Sequence, residues 1–377
     1  MRNPFLSALL VLCCTLSIAA QEKAKPNTLT PKEITDGWIL LFDGDTTFGW
    51  KADGSVKVDR GVIQLGAGKR AELLNSTAFA GFEFRAEYGP DTMHASLWAC
   101  DELTRPGGNH KVTDLLPSKD QAWQIVGLND RPPSEKDIGG PTGIRFDVND
   151  RGVLKLRNAK LRPIGLKPLF NGKDLAGWKV FAPEKYKSKV TVEDRAIQLV
   201  NGPGDLQTEG KYADFVLQLE CKSNGKHLNS GVFFRCKPNE YQNGYEAQIH
   251  NNFTADPPKD YTVEEYDPQT HKLLEKRKVK SAAVDYGTGA IYRRIPARKE
   301  AAKDGEWFTM TIVAQGNHIA TWVNGIQQVD WYDNRPASDN PRTGCRLEAG
   351  HISIQGHDPT TNLSFRNIRI AELPGKR

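Results

Sequence analysis

Leu169-Phe170-Asn171-Gly172 followed by Gly177-Trp178-Lys179 repeats a stretch found earlier in the same chain, Leu41-Phe42-Asp43-Gly44 followed by Gly49-Trp50-Lys51. Three more pairs follow in the same order: residues 58–65 with 192–199, 79–84 with 212–217, and 156–161 with 365–370. Four matches in register are hard to obtain by chance, so the chain reads as two related units. A length of 377 residues also exceeds one ordinary core and suits two. The reading places a signal segment at 1–20, a polar leader at 21–35, a shortened and degenerate repeat at 36–165 and a fuller repeat at 166–374.

Periodicity gives the class. Phe215, Leu217 and Leu219 alternate with Val216, Gln218 and Glu220, the period of a strand with one face inward. Ile312-Val313 and the run from Ile319 to Val323 flank Gln315-Gly316-Asn317, which predicts a hairpin. Many short alternating segments, served by 34 glycines and 22 prolines at turns, predict an all-β protein of two tandem β-sandwiches. Residues 252–302 form a long charged insertion that the first repeat lacks.

The first residues, Met1-Arg2-Asn3, precede an apolar run from Phe5 to Ala20 with small residues near its end. That order predicts a cleaved export signal and a secreted or periplasmic protein. The run is shorter than a bilayer span requires, and no other stretch is long enough. A net charge of +5 without clustered basic and aromatic residues argues against nucleic acid as a partner. Beyond the signal stand Cys100, Cys221, Cys236 and Cys345, and the ends of two apolar strands admit a bridge between Cys221 and Cys236.

Strand alternation also assigns faces. In Tyr245-Glu246-Ala247-Gln248-Ile249-His250, the apolar residues fit a core face, so Glu246, Gln248 and His250 project together from the other. A carboxylate, an amide and an imidazole in one row can move protons and hold hydroxyls. By the same parity Gly231, Phe233 and Arg235 share a face, the glycine leaving space beside a fixed cation. Ser353, Gln355 and His357 repeat the pattern. Aligned through the shared Gln-Ile, the first repeat offers only Ala122, Gln124 and Val126 in place of the polar row, and Cys100 in place of Arg235. The site is therefore expected in the second repeat, with the first in a supporting or sugar-binding role.

Six segments of the second repeat, LFNGKDLAGW (169–178), NSGVFFR (229–235), YEAQI (245–249), WVNG (322–325), QGH (355–357) and FRNI (365–368), together resemble the 3-keto-disaccharide hydrolase family. The resemblance implies a concanavalin A-like jelly roll and action on glycosides or oligosaccharides oxidised to a ketone at C3. It implies Glu246 or His250 as base, Arg235 beside the enolate, His357 as alternative acid, and Gln248, Gln355 and Asn229 as substrate ligands. No cofactor is expected, although a divalent ion held by Glu246, His250 and a further ligand stays open. A two-carboxylate glycosidase would need a partner for Glu246, for which Asp333 and Asp358 are the candidates. The rival reading is a non-catalytic lectin-like module with Trp331-Tyr332 as its platform.

Overall fold

The computed structural model describes residues 25–100, 109–120, 122–130 and 141–373, so the expected signal segment lies outside the described residues. A capped helical turn, α1 (Pro31–Thr35), precedes the strands. Those of the first half are β1 (Ile39–Leu40), β2 (Trp50–Gly54), β3 (Val56–Asp59), β4 (Val62–Gly66), β5 (Ala71–Asn75), β6 (Phe82–Tyr88), β7 (Met93–Cys100), β8 (Asn109–Leu115), β9 (Gln124–Asp130) and β10 (Gly143–Pro163). The second half begins with β11 (Lys167–Pro168), β12 (Trp178–Val180), β13 (Lys189–Glu193), β14 (Ala196–Val200), β15 (Gly204–Thr208), β16 (Phe215–Ser223), β17 (Ser230–Cys236) and β18 (Tyr245–Ile249). It continues with β19 (Lys259–Tyr266), β20 (Leu273–Ser281), β21 (Trp307–Gln315), β22 (His318–Val323), β23 (Ile326–Tyr332), β24 (His351–Gly356) and β25 (Asn362–Glu372). The protein is all-β, built from sandwiches of the jelly-roll type.

In the second half the inner sheet runs β12-β15-β24-β17-β18 and the outer sheet β13-β14-β25-β16-β21-β22-β23. The first half lays its strands down in the same sequence, except that β19, β20, β22 and β23 have no counterpart among its described residues and one long strand replaces β24 and β25. Residues 143–148 of β10 pair with β5 and β7, and residues 153–163 pair with β4, β6 and β1, so β10 crosses from one layer to the other. Matched residues make matched contacts. The indoles of Trp50 and Trp178 donate to the carbonyls of Leu41 and Leu169. Where β10 and β25 bulge, Asn158 and Asn367 take positive φ, and each reaches the same carboxylate as the preceding arginine, Glu87 with Arg157 and Glu220 with Arg366. Arg157 then stacks on Trp123 at 3.9 Å and Arg366 on Trp307 at 4.0 Å.

These contacts correct the alignment made through Gln-Ile. Trp123 corresponds to Trp307, so β9 answers to β21, whereas β18 answers to β8, the strand paired with β7. Ala122, Gln124 and Val126 are therefore not the counterparts of the polar row. The expected bridge also fails: Cys221 and Cys236 are not joined, because β16 and β17 belong to different sheets and no hairpin connects them.

The central strands of the outer sheet of the second half, β16, β21 and β22, are buried on both faces. Phe215, Leu217 and Leu219 face their own sandwich, while Val216, Val313, Ala320 and Trp322 join the core of the first half. Gln218 and Glu220, expected at an outer face, are accordingly buried as well. Gln218 donates to the Gly37 carbonyl, Trp322 Nε1 to the Leu40 carbonyl, and Leu40 N–H to the Gly325 carbonyl. Hydrogen bonds satisfy the polar groups that this seam removes from water, and apolar contact supplies the attraction. Denaturant unfolding is expected to show one transition for both halves, and Trp322→Ala to lower its free energy by about 3–5 kcal/mol. Two separate transitions in the wild-type chain would show that the seam does not couple them.

Candidate active site

The polar face of the inner sheet opens into a cleft of about 340 Å³. Alternation in β18 holds as read: Tyr245, Ala247 and Ile249 enter the core, and Glu246, Gln248 and His250 leave the opposite face. Only Glu246 reaches the cleft. The insertion packs over the other two, and Gln248 Nε2 donates to the Asp285 carbonyl at 3.0 Å while the Val284 carbonyl accepts from His250 Nδ1 at 3.0 Å. His250 N–H donates to Thr288 Oγ1 as well. Neither His250, expected as an alternative base, nor Gln248, expected as a substrate ligand, lines the cleft.

Glu246 lies over Gly231, where a Cβ atom would stand 2.7 Å from its Oε1. The space that glycine leaves is therefore filled by the carboxylate. No described residue donates a hydrogen bond to that carboxylate, and burial pushes its pKa up to about 8, against the opposing pull of Arg342 and Arg293. Phe233 forms part of the wall beside it. Among the described residues, Glu246 is the sole Asp or Glu lining the cleft.

Arg235 does not stand in the cleft. The register of β17 against β24 shifts between Phe233 and Cys236, and Arg235 takes φ of 51°, so parity counted from Gly231 breaks at this bulge. Its guanidinium is fully buried and donates to the carbonyls of Ala213 and Arg346 and to Asp214 Oδ1 at 2.9 Å. It is a structural tie.

Gln355, Asn229 and His357 do line the cleft. Gln355 Nε2 donates to Gln242 Oε1 at 2.9 Å, which leaves its own buried Oε1 without a donor and able to accept from a ligand. Asn229 Oδ1 stands 3.4 Å from Gln248 Nε2. His357 is exposed at the rim, with Nδ1 2.8 Å from an Asp358 carboxylate oxygen. Asp333, the other candidate second acid, is fully buried in hydrogen bonds with Arg335 and Tyr245 Oη. The Trp331-Tyr332 platform does not form, since adjacent strand residues face opposite ways. Tyr332 stacks on His318 and donates to the Ser76 carbonyl of the first half.

The sequence reading missed the cationic wall. Tyr292, Arg293 and Arg294 reach the cleft from the insertion, and Arg342 from the loop between β23 and β24. The signal was present as an aromatic residue beside two arginines in the one segment without a counterpart in the first half. The first half anchors that segment: Asp43 accepts from Arg298 at 2.5 Å and pairs with Lys299 at 2.9 Å. Among the described residues no group of three or more His, Cys, Asp and Glu is placed to hold a metal ion. No helix among them is long and apolar enough to cross a membrane.

The chain is similar to known proteins of one family. Residues 165–371 match the 3-keto-alpha-glucoside-1,2-lyase-like domain. A 3-keto-disaccharide hydrolase of Bacteroides thetaiotaomicron is 27% identical over 235 residues, which cover 54% of this chain and 77% of that protein. Two crystal structures of Parabacteroides distasonis proteins assigned as glycosyl hydrolases also align. One is 22% identical with a TM-score of 0.41 over 56% of this chain and 94% of that one. The other is 25% identical with a TM-score of 0.38 over 56% and 100%. The protein is thus carbohydrate-active and glycosyl hydrolase-like, and with the matched domain spanning more than half its length the chain belongs to the 3-keto-alpha-glucoside-1,2-lyase-like family.

Proposed function

We propose that the cleft cleaves glycosides already oxidised to a ketone at C3, by elimination followed by hydration. The ketone acidifies the proton on C2. Glu246 removes it, the electrons pass into an enolate, and Arg293 and Arg342 stabilise the charge on the C3 oxygen. Collapse of the enolate forms the C1–C2 double bond and breaks the bond from C1 to the departing oxygen, which takes a proton from protonated Glu246 or from His357. Water then adds at C1 and C2 regains a proton, so the sum is hydrolysis. Gln355 and Asn229 hold hydroxyls of the ring.

The observation that carries this reading is the solitary carboxylate facing arginines. Direct glycosidases place two carboxyl groups across the bond they cut, and among the described residues Glu246 has no such partner lining the cleft. A base near neutrality beside fixed cations suits removal of a carbon-bound proton instead.

The test is release of a chromogenic aglycone from a 3-keto-glucoside, with the unoxidised glucoside alongside. Release from the keto substrate alone is expected; release from neither, with saturable binding of both, would favour a lectin-like module. Glu246→Gln is expected to lower kcat by about 10²-fold or more, the usual share of a general base. Since the base must be ionised, kcat/KM should climb tenfold per pH unit and level off above about 8. A profile flat from pH 6 to 9 would remove Glu246 from the rate equation. Stability runs the other way: the raised pKa means that the folded state holds this proton more tightly, so stability falls as pH rises from about 4.5 towards 8. Glu246→Gln should therefore unfold at a higher denaturant concentration than wild type at pH 9.

A further inference from the structure

Next to the cleft lies a second chamber of about 230 Å³, and Arg293 and Arg294 line both. Trp331 and Tyr286 supply aromatic surface to the second chamber, and Thr262 and Glu264 supply polar groups. The volume suits a single pyranose unit. Aromatic faces set among hydroxyl-binding groups are the surfaces against which sugar rings pack, because the ring's C–H face is apolar and its edge polar.

Charge distinguishes this chamber from a neutral sugar site. Arg335 on its wall is neutralised by Asp333 at 2.7 Å, and Glu264 is taken up by Lys276 at 2.7 Å. Arg293 and Arg294 have no such partner: among the described residues no carboxylate lies within ion-pair distance of either. Arg294 donates only to the Arg342 carbonyl, and Arg293 lies over the Tyr292 ring at 5.3 Å. Arg294 is partly buried, and burial together with neighbouring Arg335 makes its charged form less favourable, a net effect that Asp333 and Glu264 only partly oppose. Neutral hydroxyls do not relieve an excess of guanidinium charge, whereas an anion does. The elimination chemistry engages Arg293 and Arg342 and leaves Arg294 without a role.

We propose that the second chamber binds the sugar unit next to the ketosugar, and that this unit is acidic, its carboxylate or sulfate ester pairing with Arg294 and Arg293 while its ring packs on Trp331. The proposal rests on the first cleft holding the ketosugar. Its test needs no ketone: the protein is titrated calorimetrically with glucosyl-glucuronic acid, a sulfated glucosyl-glucose and unmodified glucosyl-glucose. At low ionic strength the better of the two acidic disaccharides is expected to bind at least tenfold more tightly than the neutral one. Which acid binds better separates carboxylate from sulfate. The preference should shrink as salt is added, since screening weakens the ion pair. In Arg294→Gln the ratio of acidic to neutral affinity should fall towards one. Equal affinities in the wild-type protein, binding of none of the three, or a preference untouched by both salt and Arg294→Gln would overturn the proposal. If aglycone release from the 3-keto-glucoside persists alongside any of these results, the acidic subsite alone has failed and the elimination reading stands.

Discussion

A carboxylate held in a poorly solvated place, without a hydrogen bond to quiet it, is the constraint around which the second half is arranged. Glu246 sits above a glycine, and any side chain at residue 231 would occupy its position. Burial costs the ionised form more than the neutral one, so the group keeps its proton to higher pH than an ordinary carboxylate. The arginines from the two loops offset part of that cost. A base of this kind is available near neutral pH and strong enough to take a proton activated by an adjacent ketone, the demand that the proposed chemistry makes.

The loops that complete the site depend on the rest of the molecule. Tyr292, Arg293 and Arg294 belong to an insertion that also roofs Gln248 and His250, and this segment is tied back through Arg298 and Lys299. Their partner, Asp43, belongs to the repeated Leu-Phe-Asp-Gly stretch, and the second copy carries Asn171 at the matching place. The charge that grips the insertion thus occurs where the two copies differ. Around Asp43 the two arms of the contact hold its carboxyl below its usual pKa even though burial opposes them. Among the described residues the first half contributes no side chain to the cleft itself; it buries the far face of the outer sheet and anchors one cleft wall.

Much of this was legible in the residues. A period of two assigned the core and polar faces of β18 correctly, and the Gln-Gly-Asn turn fixed the hairpin of β21 and β22. Parity failed at Arg235 because a bulge with positive φ rotates the strand by one position, and nothing in Phe-Phe-Arg-Cys announces it. His250 and Gln248 do leave the predicted face, but what covers that face is distant in sequence, so exposure could not be read from parity. The alignment of Gln124 with Gln248 rested on two residues, whereas the arginine stacked on Trp123 or Trp307 relates strands by a contact that only the fold displays. The cationic wall was missed for a related reason: it assembles from two loops, and loops carry no period.

The central claim is that bond cleavage begins with loss of the proton on C2, and the most direct measurement follows that hydrogen. The reaction is run in D2O on a 3-keto-glycoside, and the product is trapped by borohydride at short times, before free ketosugar can exchange by itself. The account predicts one deuterium at C2 of the released sugar from the first turnovers. Retention of the original hydrogen at C2, together with no primary isotope effect on cleavage when C2 carries deuterium, would mean direct departure of the C1 substituent and would contradict it.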